Sequence, residues 1–286
     1  MGLLFAFIAL LCWGLGDFLI QKGARRFGSW LTLFYITALM SIILLPFVYK
    51  ELFALCSSLN VLIVLLIVSV VVLLANIFDF QGLKLGKMSV VEPIYSFELP
   101  ITAILAALII GEYLNFFQTL LIFSLFVGII LLSIKSFNQI KKIKLEKGIL
   151  YALLATLCMG VVNFVFGFGA RHTSPLLINW FTGFFMFICC LIFLIKQGRL
   201  KEMVLDFKKN KKLIFGVSIV DNLAWIAFAF STLYIPIAIA TGISESYIAL
   251  AAGLGLIFNK EKLKTHQFIG LAVAVLSVIL LAYFTS

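Results

Sequence analysis

Residues 90–114 read VVEPIYSFELPITAILAALIIGEYL, and this stretch determines how the rest of the chain is interpreted. Most of it is apolar enough to cross a bilayer, yet it contains Glu92, Pro93, Glu98 and Pro100. A carboxylate in the hydrocarbon region is energetically expensive, so it usually marks a pathway or a polar partner. Because proline lacks a backbone donor and clashes with the preceding turn, Pro100 is expected to bend or open the helix beside Glu98. The stretch therefore predicts a polar site near the middle of the membrane.

The overall composition indicates an integral membrane protein. Of the 286 residues, 64% are hydrophobic and 12% are charged, and the mean hydropathy is +1.20. Runs of about 20 apolar residues predict membrane-spanning helices. The formal net charge of +10 does not indicate nucleic-acid binding, because the basic residues lie between the apolar runs. The five cysteines lack metal-site spacing and there are two histidines, so we predict no metal site, no cofactor, no disulfide framework and no catalytic centre.

The apolar runs predict an all-α fold with ten transmembrane helices. All intervals between the runs are short except 135–147 and 196–212, which are both rich in lysine and are expected to be loops. The predicted spans are 3–21, 30–48, 61–82, 89–110, 117–134, 148–169, 176–195, 213–233, 237–258 and 266–284.

The lysine and arginine positions predict the orientation of these spans. Of the 22 basic residues, only Lys50 and Arg171 fall in the intervals that follow even-numbered spans. Positively charged loops tend to remain in the cytoplasm, so the intervals after odd-numbered spans are predicted to be cytoplasmic. Both termini are then predicted to lie outside a multi-pass protein of the plasma (inner) membrane.

An internal repeat divides the sequence into two halves. The segment LCWGLGDFLIQKGARR at 11–26 resembles LCMGVVNFVFGFGARH at 157–172, which is an offset of 146 residues. The pattern E-x-L-x-x-x-Q at 112–118 recurs at 261–267, an offset of 149 residues. Two matches in the same order at nearly one offset argue against chance similarity between apolar segments.

The repeat predicts the domain organisation. Each copy contains five spans, and an odd number of spans reverses the second copy in the membrane, which gives two inverted repeats. We assign residues 1–134 to the first five-helix repeat, residues 135–147 to a basic cytoplasmic connector and residues 148–286 to the second repeat.

These features resemble the drug/metabolite transporter (DMT) superfamily, of the EamA type. The matching residues are Trp13 and Gly14 in span one and the proline-containing span that is followed by Gly111 and Glu112. Glu261 is the counterpart of Glu112 in the second half. The resemblance covers the whole chain. It implies a membrane carrier for metabolites, amino acids, nucleotide sugars or drugs, with a central cavity lined by spans one to four and six to nine.

The sequence departs from the family pattern at two points. Lys260 stands where the second half of such proteins often has glycine, and the interval after span two has Lys50 beside Glu51 instead of a basic loop. The orientation given above therefore follows the charges of this chain. Glu112 and Glu261 lie at the starts of spans five and ten, where an acid complements the positive end of a helix dipole.

Three acids are predicted to lie deep in the membrane. Glu98, Asp221 and Glu245 are each far from the ends of their spans. Burial favours the neutral form of a carboxyl group and a bound cation favours the charged form, so such a site could exchange a proton for a cationic substrate. The alternative is a protonated carboxyl group that is hydrogen-bonded to a neighbouring helix.

Aromatic and amide side chains accompany two of these acids. Trp225 lies one helical turn from Asp221, and Tyr95 has the same relation to Glu98. An acid beside an aromatic ring can hold an organic cation, although such rings also serve ordinary packing. Asn222, next to Asp221, is a further candidate for the substrate site.

The remaining acids of the spans, Asp17, Asp79 and Glu92, lie nearer the predicted cytoplasmic end. We expect them to form interfacial ion pairs, such as Asp17 with Lys22 or Arg25 and Glu92 with Lys87, and the alternative is that they are gate residues.

Three prolines are candidate hinges, namely Pro93, Pro100 and Pro236. Asn163 occupies the repeat position of Asp17, so the two halves differ at this point.

The sequence leads to one principal functional hypothesis. Deep acids without a deep base predict a secondary transporter for a small amine-bearing molecule, namely an amino acid, a polyamine-like metabolite or an organic cation. The hypothesis includes alternating access and proton antiport, with the lipid bilayer as surroundings and either a monomer or a homodimer as the functional unit. The alternatives are a membrane enzyme or a binding scaffold for a lipid-like substrate.

Overall fold

The computed structural model describes residues 1–56, 59–86, 91, 94–134, 147–250 and 264–285, and the regular elements in these residues are α-helices. Eight helices in this part of the chain are long and apolar enough to cross a membrane, and α4 and α9 are shorter. The helices are α1 (Gly2–Phe27), α2 (Ser29–Cys56), α3 (Leu59–Leu85), α4 (Glu98–Ile110), α5 (Phe116–Ser133), α6 (Lys147–His172), α7 (Pro175–Lys196), α8 (Leu200–Ser231), α9 (Ile237–Glu245) and α10 (Thr265–Tyr283).

The fourth predicted span, 89–110, is shorter as a regular helix than we expected. A turn at Ser96 and Phe97 precedes α4, which begins at Glu98. Pro100 has no N–H for the carbonyl group of Ser96 and its ring clashes with that group, so the helix cannot continue through this turn. Pro100 itself lies in the first turn of α4, where a missing N–H does no harm.

The ninth predicted span, 237–258, is also interrupted at an acid. Helix α9 ends at Glu245, and Ser246 forms a turn in which its N–H donates to the carbonyl oxygen of Ile243 at 3.2 Å. Helical structure then resumes as far as Leu250, and the rest of this predicted span lies outside the described residues. The two shorter helices are thus the two that carry Glu98 and Glu245.

The interval 196–212 is not the loop that its lysines suggested. Gly198 has a φ of +68° and separates α7 from α8, which begins at Leu200. Asn210, with φ −128° and ψ 28°, marks a kink between residues 200–209, which we call the α8 arm, and the rest of α8. The arm alternates apolar and charged residues at helical spacing, so an interfacial helix satisfies its sequence better than a loop.

The two halves of the chain interlock. The most extensive helix contacts join α1 to α8, α3 to α6, α2 to α7 and α5 to α10, and each pair takes one helix from each half. Two glycines allow α5 and α10 to approach closely: a Cβ at Gly128 would lie 2.8 Å from the nitrogen of Ala274, and one at Gly270 would lie 2.5 Å from that of Leu132. Small residues permit such close contact between membrane helices.

Glutamine side chains cap the starts of α5 and α10. The N–H of Asn115 donates to Oε1 of Gln118, and the N–H of Lys264 donates to Oε1 of Gln267, each at 3.1 Å. Both contacts satisfy backbone donors that a helix start leaves without partners. They give a physical reason for the glutamine of the repeated E-x-L-x-x-x-Q pattern.

Gly111 turns the chain at the end of α4, with a φ of +65°. The turn directs Glu112 toward the second half, where its Oε2 accepts the N–H of Ile237 at 2.8 Å and its Oε1 pairs with Arg171 at 2.9 Å. Glu112 therefore caps the start of α9, whereas the sequence suggested the start of α5.

Candidate functional site

A cavity of about 50 Å³ lies between α1, α3, α4, α6, α8 and α9. Five of its lining residues are acidic, namely Asp17, Asp79, Glu98, Asp221 and Glu245. The other lining residues are Trp13, Ile20, Asn76, Phe80, Tyr95, Met159, Asn163, Trp225 and Tyr247, so the described lining contains no lysine, arginine or histidine. The cavity joins both halves of the chain and concentrates carboxyl groups in apolar surroundings.

Asp17 faces this cavity and not the end of the bundle. Its Oδ2 accepts a hydrogen bond from the hydroxyl group of Tyr247 at 2.6 Å, and both residues are buried. The ion pair with Lys22 or Arg25 that we expected is not found among the described residues, and Arg25 donates instead to the backbone carbonyl groups of Lys84 and Gly86 at the end of α3. A tyrosine hydroxyl group thus serves as the partner of Asp17.

Asn163 joins Glu98 to the second half of the chain. Nδ2 of Asn163 donates to Oε2 of Glu98 at 3.3 Å. Glu98 lies at the start of α4 and Glu245 at the end of α9, and both line the cavity with Asn163, so the two helix interruptions meet at this cavity. An amide can donate to an ionised carboxylate and accept from a protonated carboxyl group, which suits an acid that gains and loses a proton.

Tyr95 and Asp79 form a second contact between neighbouring elements. The hydroxyl group of Tyr95 donates to the backbone carbonyl oxygen of Asp79 at 3.1 Å, and both side chains line the cavity. This bond holds the turn before α4 against α3. Asp79 therefore belongs to the same cavity as the acids that the sequence ranked deepest.

Aromatic rings form one wall of the cavity. Trp225 makes an edge contact with Trp13, with ring centroids 5.2 Å apart, and lies 4.9 Å from the Phe166 ring. Trp225 lines the cavity together with Asp221, one turn earlier on α8, as helical spacing predicted. The wall combines a carboxyl group with ring faces and edges.

Asn222 lies beside the main cavity and not in it. Its Nδ2 donates to the carbonyl oxygen of Ile36 at 3.0 Å, while its buried Oδ1 has no hydrogen-bond partner. It lines a small adjoining cavity that also includes Asp221 and Trp225. Its main contact joins α8 to α2.

The predicted gate and hinge residues are placed as follows. Pro236 lies immediately before α9 and Pro100 lies within the first turn of α4. Glu92 and Pro93 lie outside the described residues.

Several lining residues, including Asn163 and Tyr247, were not among the predicted site residues. The repeat contained a signal for Asn163, because Asn163 is the repeat counterpart of Asp17, and both line the cavity. The repeat also relates two of the predicted acids: Glu245 follows Glu98 by 147 residues, between the two repeat offsets, so the halves contribute matching glutamates. Tyr247 had no such signal, because only the folded chain brings it to Asp17.

Two comparisons with known sequences agree on the class of protein. The sequence profile of the EamA-like transporter family matches residues 1–134 and 146–283. Proteins described as "Uncharacterized transporter" from Helicobacter pylori strains ATCC 700392 / 26695 and J99 / ATCC 700824 are each 30% identical over 138 residues. Each match covers 47% of this chain and 45% of the relative, so the similarity spans less than half of these curated proteins.

A comparison with solved structures supports the same fold. A protein known from a crystal structure has a TM-score of 0.69 to this chain and 13% sequence identity, and the match covers 99% of this chain and 98% of that one. At this identity the likeness shows the fold alone. The family profile covers both halves of the sequence, and the chain therefore belongs to the EamA-like transporter family, within the DMT superfamily.

Proposed function

We propose that this protein is a secondary transporter that exchanges protons for a small amine-bearing molecule by alternating access. The observation that carries the proposal is the convergence of five carboxyl groups on one cavity whose described lining contains no basic side chain. A phosphorylated or otherwise anionic substrate would require lysine or arginine at this place. The carboxyl groups of the cavity can supply the negative charge that a cationic substrate requires.

The aromatic wall supports an organic cation over a metal ion. The described residues contain no group of three or more histidine, cysteine, aspartate or glutamate side chains arranged to hold a metal ion. Trp13 and Trp225 offer ring surfaces beside Asp221, which suits an ammonium group attached to an apolar body. The substrate classes are therefore amino acids, polyamine-like metabolites and organic cations.

Proton exchange follows from the crowding of the acids. Five ionised carboxylates cannot share a small apolar cavity without a compensating cation, because like charges repel strongly at low dielectric constant. Protons neutralise the acids when the substrate is absent, and a bound ammonium group replaces one or more of these protons. Transport of the substrate in one direction then drives protons in the other.

The size of the cavity supports a cycle of opening and closing. About 50 Å³ has room for only a few water molecules, whereas pockets for small organic ligands are about 300–1,000 Å³. An organic substrate therefore requires the surrounding helices to separate. The proposed cycle separates them on one side of the membrane and then on the other.

Two inverted five-helix repeats would supply this motion, with ten membrane spans in total. The helix contacts support this arrangement, because they occur in matching pairs: α1 packs on α8 as α6 packs on α3, and α4 packs on α6 as α9 packs on α1. Such pairing is expected when the second repeat is related to the first by a two-fold axis in the membrane plane. The interruptions of α4 and α9 at the cavity also fit the broken helices of transporters with inverted repeats.

The test is proton-coupled transport by the full chain in liposomes that contain a pH-sensitive dye. Amines, amino acids and phosphorylated metabolites are added outside, and the internal pH is recorded. Addition of a transported amine should change the internal pH, and Glu98→Gln or Glu245→Gln should slow the change at least ~10-fold, which corresponds to about 1.4 kcal/mol. Glu202→Gln is the matched control, because Glu202 is exposed, pairs with Arg199 and does not line the central cavity.

Two results would overturn the proposal. One is a response confined to phosphorylated compounds, which would reverse the choice of substrate. The other is transport by Glu98→Gln and Glu245→Gln at the rate of the parent protein, which would remove the carboxyl groups from the coupling.

A further inference from the structure

A groove runs along the seam between α2 and α8, away from the central cavity. Its outer part has a volume of about 380 Å³ and is lined by residues such as Tyr35 and Ala38 of α2 and Phe207 and Phe215 of α8. A second cavity of about 170 Å³ continues the seam, and the two parts share Leu39. We call the two parts together the α2–α8 groove.

The α8 arm covers the outer end of this groove and is held in place by two hydrogen bonds. The hydroxyl group of Tyr35 donates to the backbone carbonyl oxygen of Met203 at 2.7 Å. Nη2 of Arg199 donates to the carbonyl oxygen of Phe27 at 3.0 Å, which ties the base of the arm to α1. The groove is therefore a concave site closed by a fixed helix, and it differs from the ordinary convex surface that membrane helices present to lipid.

Positive charge is concentrated at the kink of α8, next to the outer end of the groove. Lys208 lines the groove, and Lys209, Lys211 and Lys212 lie exposed around the kink at Asn210. The acidic residues of the arm are Glu202, which is paired with Arg199, and Asp206, which is partly buried. The charges facing outward at the kink are thus predominantly positive.

The interior of the groove is almost entirely apolar. The inner part is lined by residues such as Ile43, Leu44 and Ile226, and the polar side chains of the outer part are Tyr35, Lys208 and Ser218. From Ile214 in the outer part to Ile226 in the inner part, both of which follow the kink, α8 rises by roughly 18 Å at 1.5 Å per residue. A narrow apolar channel of this length below a cluster of lysines suits one long acyl chain below a negatively charged headgroup.

We propose that the α2–α8 groove binds an anionic phospholipid, with the phosphate group at Lys208 and Lys212 and one acyl chain along the groove. Clusters of lysine at the membrane end of a helix attract anionic headgroups, and basic pockets between membrane helices bind them. None of the residues that line the groove lines the central cavity, so this site is separate from the proposed substrate site. Its occupant fixes the α8 arm against α2, and α8 carries Asp221 of the central cavity.

The test measures lipid binding to the purified full chain by native mass spectrometry and by thermal shift. Phosphatidylglycerol and phosphatidylcholine with identical acyl chains are compared, and inorganic phosphate serves as the charge without the chain. Phosphatidylglycerol should bind more tightly than phosphatidylcholine and raise the melting temperature more, and inorganic phosphate should leave the melting temperature unchanged.

Two kinds of variant separate the headgroup contact from the chain contact. Lys208→Gln with Lys212→Gln should weaken phosphatidylglycerol binding by about fivefold per lysine and leave phosphatidylcholine binding unchanged. The matched control is Lys22→Gln with Lys84→Gln, which removes the same charge from other helix ends. Ala38→Trp fills the groove and should weaken binding of both lipids, and Ile42→Trp at the exposed rim tests the same contact if the first variant fails to fold.

Equal binding of the two lipids by the parent protein would overturn the proposal. A lysine pair variant that matches its control would do the same, as would unchanged lipid binding in the folded tryptophan variant. A thermal shift with inorganic phosphate alone would assign the lysines to a soluble anion.

Discussion

Arg25 and Arg171 occupy equivalent positions of the sequence repeat and make equivalent contacts. Each lies near the end of the first helix of its half, and the two are separated by the repeat offset of 146 residues. Their acceptors are carbonyl oxygens at the end of the third helix of each half: Lys84 and Gly86 for the first arginine, Thr232 and Ile235 for the second. The arginines therefore close the C-terminal ends of α3 and α8, where chain carbonyl groups lack helical donors.

The two arginine contacts should differ in strength. Arg171 is 28% exposed and also pairs with Glu112 of the other half, which is 16% exposed, whereas the contacts of Arg25 lie at the surface. Arg171→Ala should lower the free energy of unfolding by about 2–3 kcal/mol and Arg25→Ala by about 1 kcal/mol, because a hydrogen-bonded charge is lost in partly buried surroundings only at Arg171. Denaturant unfolding of the purified protein, followed by tryptophan fluorescence, measures both changes.

Arg171→Lys is the control for this comparison. Lysine keeps the charge but lacks the planar guanidinium group that lets arginine donate to three acceptors. It should therefore recover only part of the lost unfolding free energy. Equal losses for the two alanine variants would contradict the structural difference between the two arginines.

Asn163 should be needed for the stability of the central cavity. Its amide donates to the carboxyl group of Glu98, and it is 1% exposed. Asn163→Leu keeps the approximate size and leaves the carboxyl group of Glu98 without this partner, so it should cost about 1–3 kcal/mol of unfolding free energy. Thermal melting in detergent detects the loss, and Asn210→Leu at the partly buried kink of α8, outside the central cavity, provides an amide-to-leucine control. Asn163→Leu protein as stable as the control would show that the amide contact contributes nothing.

Binding of a cationic substrate should weaken as the pH falls. The carboxyl groups of Asp17, Glu98, Asp221 and Glu245 attract a cation only when ionised, and protons compete for the same oxygen atoms. Calorimetric titration of the transported amine at a series of pH values should show proton release on binding and a lower affinity at lower pH. Affinity that is constant while the amine itself stays charged would contradict a site built from titrating acids.

The sequence predicted the membrane fold class and the family, and the reasons are visible in particular residues. Apolar runs long enough to span lipid leave few alternatives to helices, and the family profile confirms the resemblance drawn from Gly111 and Glu112. The ten-span inverted arrangement stays a prediction, although the paired contacts of α1 with α8 and α3 with α6 support it.

Other features depend on contacts that sequence spacing does not reveal. The lysines of 200–212 suggested a loop. That prediction considered only their charge, whereas the apolar residues between them share one face of the α8 arm and favour a helix. Asp17 was associated with nearby basic residues along the chain, whereas its actual partner, Tyr247, is 230 residues away. Glu112 caps α9, which begins 125 residues later, whereas the sequence suggested that it caps the nearer helix, α5.

Glycine at the α5–α10 crossing should not tolerate replacement, in contrast to Gly216 of α8. A Cβ at Gly270 would lie 2.5 Å from the backbone nitrogen of Leu132, whereas one at Gly216 would meet only Cδ1 of Leu19 at 4.0 Å. Gly270→Ala should destabilise the protein by about 1–3 kcal/mol, because backbone atoms must move apart. Gly216→Ala should be neutral or stabilising by up to about 1 kcal/mol, since alanine favours helix more than glycine does. Thermal melting of the two variants compares them directly, and a loss of the same size in both would disprove the close crossing.

The orientation of the chain in the membrane can be tested at two lysines. Two hydrogen bonds define one end of the bundle. Arg25 joins the end of α1 to the end of α3, and Arg199 joins the end of α7 to the end of α1. Lys209, in the α8 arm, lies at the same end. At the opposite end, Ser174 donates to Glu51 at 2.6 Å, and Lys50 is its neighbour in sequence. The concentration of basic residues at the first end predicts that this end is cytoplasmic.

Cysteine labelling of intact cells measures this orientation. In a variant without the native cysteines, Lys50→Cys and Lys209→Cys are both exposed positions, so they differ mainly in the side of the membrane that they face. A membrane-impermeant maleimide should label Lys50→Cys in intact cells and should reach Lys209→Cys only after the membrane is opened. The reverse pattern would place both termini in the cytoplasm, and the charge distribution of this chain would then not determine its insertion. Labelling of both positions in intact cells would show a mixed orientation and would also contradict the prediction.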